Sequence, residues 1–177
     1  AVMPPAMSEA IIRLRGVITY VDLTYRTAFV QDDTGGIRIE NLLLDHQFKP
    51  GAWVDFTTVV TGGGRNPTAT VDRIVRLSDD ADHWPSPVRA GEGELTSGSL
   101  QHRLVEIEGR VESAVVDHSG RLVLAVRVGR LLAKVLVPVE FTPDYGQYVN
   151  AVVRVTGALA ASEDARGEVR SVRLFTT

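Results

Sequence analysis

Four histidines, His46, His83, His102 and His118, are the first candidates for acid–base or metal chemistry in this chain. A zinc or proton-relay site needs ligands that converge, typically at short helical spacing or beside a carboxylate in a recognisable motif. None of the four stands three or four residues from another, and each reads as a solvent-exposed loop or turn residue. Serines fall in turns and at segment ends, without the strained elbow that a hydrolytic nucleophile requires. The absence of cysteine excludes disulfides, zinc–thiolate sites and thiol catalysis. Asp32-Asp33 is a carboxylate pair, but it lacks the further ligands of a calcium loop and reads as a turn stabiliser. Gly62-Gly63-Gly64-Arg65-Asn66-Pro67 resembles a phosphate cradle only superficially. It has no Gly-Lys-Ser/Thr ending and joins two expected strands, so it does not open the helix that a nucleotide loop needs. These residues imply a non-enzymatic chain with no metal and no cofactor.

Recognition is the remaining chemistry. Phe29, Gln31 and Arg38 share one face of two expected strands, with Tyr25 in the adjoining turn and Arg65 and Asn66 in the glycine loop. A ring flanked by hydrogen-bonding groups is a surface on which a ligand can stack. The chain must present these residues from strands. Over residues 12–20 apolar side chains fall on alternate positions (Ile12, Leu14, Ile18, Tyr20), which marks a half-buried strand. Gly16 interrupts its apolar face, as in a strand that bends to serve two sheets. Further strands are expected over 27–31, 37–40, 54–61 and 68–77, the second and third joined through Asp32-Asp33-Thr34-Gly35-Gly36. Leu104-Val105-Glu106-Ile107-Glu108-Gly109-Arg110-Val111 echoes the first strand, and strands over 103–116, 121–128, 132–137, 151–159 and 169–175 again number five. A repeat of this kind implies a duplicated structural unit.

The expected architecture is therefore all-β: two tandem five-stranded OB-fold-like Greek-key barrels with short helical inserts. Residues 9–78 form the first and 103–177 the second. Residues 79–102 read as an acidic, proline-bearing linker with a short helical turn, and Trp84 as the ring that pins it. Trp53 reads as a barrel-end cap. In the second copy the Asp-Thr-Gly hairpin is absent from the strand 2–3 position, and Val116-Asp117-His118-Ser119-Gly120 forms a different turn.

Arg13-Leu14-Arg15-Gly16-Val17-Ile18-Thr19-Tyr20-Val21-Asp22, followed by Phe29-Val30-Gln31-Asp32, resembles the tandem OB-like modules near the N-terminus of bacterial membrane-bound sensor histidine kinases. The resemblance covers residues 10–177 and is strongest in the first copy. It implies an extracytoplasmic or periplasmic input module, part of a two-component signalling protein, that binds a small molecule or a protein. Contact with the membrane would come only through segments outside this chain. Residues 1–8 read as a trimmed end of something longer.

Composition supports a folded, non-basic protein. Of 177 residues 44% are hydrophobic, and the net charge of −3 gives no global attraction to nucleic acid. Residues 1–78 carry eight basic and eight acidic groups and residues 103–177 ten and nine, so the excess acidity lies in the connector. The alternative function is single-stranded nucleic-acid binding by a cytoplasmic OB protein, which predicts a steep salt dependence. In the second copy Arg121, Arg127 and Lys134 stand on the corresponding strands without an aromatic partner. A scaffold that self-associates through exposed strand edges is a third expectation.

Overall fold

Alternation of apolar and polar side chains, punctuated by turn residues, makes this chain a succession of strands. The computed structural model describes residues 10–40, 48–61, 68–71, 74–78, 83–138 and 144–177. Its residues divide into two units, one ending at Trp84 and the other beginning at Pro85.

The first unit contains β1 (Ala10–Asp22), β2 (Thr27–Gln31), β3 (Gly36–Glu40), β4 (Trp53–Thr61), β5 (Thr68–Thr70) and β6 (Ile74–Ser78). β1 pairs with β4 from Ala10 to Val17 and with β2 from Val17 to Asp22, so it changes partner immediately after Gly16. β2 pairs with β3, β3 runs parallel to β5, and β5 pairs with β4, which closes the ring. β6 continues along β4. Ile18, Val30, Ile39, Val54, Phe56 and Ala69 point inward as its core.

The second unit contains β7 (Val88–Arg89), α1 (Glu92–Thr96), β8 (Leu104–Val116), β9 (Leu122–Val128), β10 (Leu131–Val137), β11 (Val152–Glu163) and β12 (Val169–Phe175). β8 pairs with β11 through Arg110 and with β9 from Arg110 onward, again changing partner just past a glycine, Gly109. β9 pairs with β10, β10 runs parallel to β12, β12 pairs with β11, and β11 returns to β8. A bulge follows the glycine in both units. Thr19 is the extra residue between Ile18 and Tyr20, and Glu112 the extra one between Val111 and Ser113. Each bulge sharpens the local twist where the strand leaves one partner for the other.

The connector departs from expectation. From Val88 the chain already belongs to the second unit. β7 runs parallel to β8, and Ala90, Leu95 and Leu100 are buried in the same cluster as Val105 and Ile107. Pro87 and Glu94 of this segment are exposed, whereas its spaced apolar residues supply enough burial to dock it. His102, expected at the surface, is 1% exposed in a turn with φ 62°. Its backbone N–H donates to the Leu159 carbonyl at 2.8 Å, which ties this turn to β11. The ring stacked on Trp53 is that of His83 (centroids 4.4 Å apart, 27° between planes), while Trp84 remains 38% exposed. A 3₁₀ turn, Tyr145–Tyr148, occupies the place expected for a short cap between the third and fourth strands of this unit. Asp144 caps it by accepting a hydrogen bond from the Gly146 N–H at 2.9 Å.

Candidate functional site

Phe29 and Gln31 stand on the outer side of β2, opposite Val30, yet they are only 1% and 3% exposed. The Phe29 ring packs against Tyr20 across the strands, with centroids 5.8 Å apart and planes tilted by 38°. A ring closed off in this way offers no face for stacking, which corrects the expectation that Phe29 forms an open platform. Period-two alternation reports which side of a strand a residue occupies, but not whether that side is also covered. Arg38 lies opposite Phe29 in the ladder and is ion-paired to Glu40 at 2.6 Å. Tyr25 sits in the β1–β2 turn with 52% of its surface exposed, and its backbone N–H donates to Asp22 Oδ1 at 3.0 Å. Arg65 and Asn66, with the rest of the Gly62–Pro67 loop and His46, lie outside the described residues.

Asp32 acts as a turn residue. Its Oδ1 accepts from the Thr34 N–H at 2.8 Å, the Thr34 hydroxyl at 2.6 Å and the Gly35 N–H at 3.0 Å. The same local chemistry recurs in the second unit, but at the β8–β9 turn. There Asp117 Oδ1 accepts from the Ser119 N–H and hydroxyl and from the Arg121 N–H, at 2.9, 2.6 and 3.0 Å. These bonds, the Ser119 hydroxyl first, draw the Asp117 carboxyl down to about 2. Both loops therefore share an Asp-x-Thr/Ser-Gly turn at different hairpins. Among the described residues no group of three His, Asp or Glu side chains is arranged to hold a metal.

On β1 two guanidinium groups share one carboxylate. Arg13 donates to Asp55 through Nε at 2.8 Å and a terminal nitrogen at 2.6 Å, and Arg15 donates through Nε at 2.8 Å. Hydrogen bonds from Arg13 and then Arg15 outweigh desolvation and lower the Asp55 carboxyl from 3.8 to about 2. The second unit carries the reverse arrangement at the matching positions. Arg154 of β11 pairs with Glu108 at 3.0 Å and Glu106 at 3.6 Å on β8, and Arg89 of β7 joins Glu108 at 3.3 Å.

An exposed basic row lies on the second unit. Lys134 of β10 is the ladder partner of Arg173 on β12, with Ala125 on one side and Ala160 on the other. Both cations are exposed, and their small neighbours leave them on a shallow surface. The next row on that side contains Val123, Leu136 and Phe175, of which Leu136 is buried and the other two half-buried. Arg127 stands nearby in a bidentate pair with Glu112, at 2.8 and 2.9 Å. Lys134 and Arg127 are legible in the sequence, whereas Arg173 and Phe175 are not, because only the parallel β10–β12 pairing brings these last two alongside.

No family model matches this sequence. No curated protein matches it either. Among solved structures the chain is similar to the HINb domain of p204, at 12% identity and a TM-score of 0.41, covering 98% of this chain and 96% of that one. It is also similar to the Ifi202 HINa domain solved in complex with 20bp dsDNA, at 9% identity and a TM-score of 0.42, covering 96% and 95%. A further match is the wild-type single-stranded DNA binding protein from Thermus aquaticus, at 12% identity and a TM-score of 0.25, covering 93% and 88%. Structural similarity this low transfers neither a fold nor a function, which leaves both to the chain's own strand pairing and side chains.

Proposed function

We propose that this chain is a non-enzymatic binding module built from two tandem OB-type barrels, and that its ligand is single-stranded nucleic acid. Duplication is supported by the matching partner switches after Gly16 and Gly109, the bulge that follows each, and the same cyclic strand order. The functional reading rests on one observation: Lys134 beside Arg173 on the exposed second-, third- and fifth-strand face of the second unit. That face is the one OB folds use for oligonucleotides. Two cations flanked by alanines can each meet a phosphate, and Phe175 in the neighbouring row gives a base an apolar neighbour.

The test is fluorescence anisotropy with a labelled mixed-sequence oligonucleotide of about a dozen nucleotides, within the site size of one or two OB folds. Binding should weaken as salt rises, with a slope of about −0.7 per phosphate neutralised. Lys134→Glu with Arg173→Glu should abolish it. No binding at low salt would overturn the reading.

A second reading is the extracytoplasmic input module implied by the sensor-kinase resemblance, whose ligand would take the pocket of about 230 Å³ in the first unit. The native reading frame on both sides tests it. An export signal upstream and a membrane segment with a kinase downstream would support it, and their absence would remove it.

A further inference from the structure

The two units treat the first half of their opening strand differently. In the second unit, β8 is flanked by β11 on one edge and by the short parallel strand β7 on the other, with Val88 opposite Val105 and Arg89 opposite Glu106. Ala90 fastens this addition by donating its N–H to the Glu106 carbonyl at 2.9 Å. Val88 packs on the core, and Arg89 reaches Glu108 at 3.3 Å. Counting back from Gly109 and Gly16, Val105, Glu106, Ile107 and Glu108 correspond to Ile12, Arg13, Leu14 and Arg15.

In the first unit the same stretch of β1 pairs with β4, and among the described residues no strand lies along its other edge. Beside that edge is the pocket of about 230 Å³, lined by Ile12, Leu14, Val30 and Ile37 together with the β2–β3 hairpin. Ile12 and Leu14 remain half-buried, whereas their counterparts Val105 and Ile107 are fully buried. The charges are also inverted. The second unit's carboxylates Glu106 and Glu108 take Arg154 from the neighbouring strand and Arg89 from the added one. Arg13 and Arg15 take Asp55 from the neighbouring strand, so this row of β1 and β4 holds two guanidinium groups to one carboxylate, with Asp32 of the β2–β3 hairpin on the far side of the pocket.

We propose that the β1 edge of the first unit docks an extended peptide of a partner protein. The peptide adds parallel to β1, sets an apolar side chain into the pocket over Ile12 and Leu14, and follows it with an acidic residue against Arg13 and Arg15. Main-chain hydrogen bonds along the β1 edge that no described strand covers supply affinity, and the pocket and the guanidinium groups supply the choice of side chains. The charge argues against a second copy's Val88-Arg89 as the occupant, since Arg89 would then face two arginines. This inference does not depend on the nucleic-acid reading, which concerns the other unit.

Two short fluorescein-labelled peptides with Val-Glu or Val-Arg in a Thr/Ser background test it by anisotropy, with amide shifts followed by NMR. The Val-Glu peptide should bind and shift the amides of residues 12–15 and 34–37. The Val-Arg peptide should bind about tenfold more weakly or worse. Rebuilding the other unit's charges with Arg13→Glu, Arg15→Glu and Asp55→Arg preserves an ion-paired triad and should reverse the preference. Lys134→Glu with Arg173→Glu should leave peptide binding unchanged, which separates this site from the nucleic-acid face. Absence of binding at millimolar peptide, equal binding of both peptides, or an oligonucleotide that shifts the same amides while neither peptide does would each overturn the proposal.

Discussion

Gly16 and Gly109 occupy the same place in their respective units, on the opening strand where it leaves one partner for another. A β-carbon on Gly16 would lie 2.7 Å from both the Gln31 carbonyl oxygen and Val30 Cγ1. On Gly109 it would lie 2.8 Å from Val126 Cγ1 and closer still to the Arg127 carbonyl oxygen. Main chain cannot move aside for a methyl group. Gly16→Ala and Gly109→Ala should therefore each cost about 1–3 kcal/mol in urea unfolding. Gly35→Ala, with no atom within 4 Å of the added carbon, should change stability by less than about 0.5 kcal/mol.

Burial separates the two aromatic residues of the expected ligand face. Phe29→Ala removes a ring that is 1% exposed and should cost about 3–5 kcal/mol. Tyr25→Ala, at a side chain 52% exposed, should fall within about 0.5 kcal/mol of the unsubstituted protein. Chemical denaturation of both variants measures the contrast.

Asp55 ties the first unit's stability to acid pH. Its carboxyl is lowered from 3.8 to about 2 by Arg13 and Arg15, so its contribution is complete above pH 3.8 and is lost as pH falls through about 2. Asp55→Asn should melt at a lower temperature than the parent near neutral pH. The difference should narrow between those two values, as followed by circular dichroism from pH 7 down to pH 2. A gap that stays constant across that window would show that the ion pairs contribute nothing through protonation.

Gln101 behaves as a piece of added strand. Its side-chain amide donates to the Ala161 carbonyl and accepts from the Ala161 N–H, both at 2.7 Å, while buried. Gln101→Met keeps the volume and strands both main-chain groups, which should cost about 2 kcal/mol or more. Hydrogen exchange at the Ala161 amide should accelerate, and exchange at inward-facing β9 residues should change far less.

Local chemistry was readable directly from residue order. Alternation of Ile12, Leu14, Ile18 and Tyr20 announces a strand, and Gly16 within it announces the bend at which β1 changes partner. Asp32-Asp33-Thr34-Gly35 announces a turn whose hydrogen bonds involve only neighbouring residues. The sequence by itself therefore determined most of the strands, the Gly16 corner and the Asp32 turn, because periodicity and turn geometry depend on spacing along the chain. The single strand expected over 68–77 is instead two, β5 beside β3 and β4, and β6 farther along β4. Only the tertiary structure decided that Phe29 and Gln31 are shut in, that β7 joins β8, and that Lys134 meets Arg173. Each of these outcomes depends on which distant strand occupies an edge or covers a face, and that choice arises from the burial and hydrogen bonding of the assembled unit rather than from local spacing.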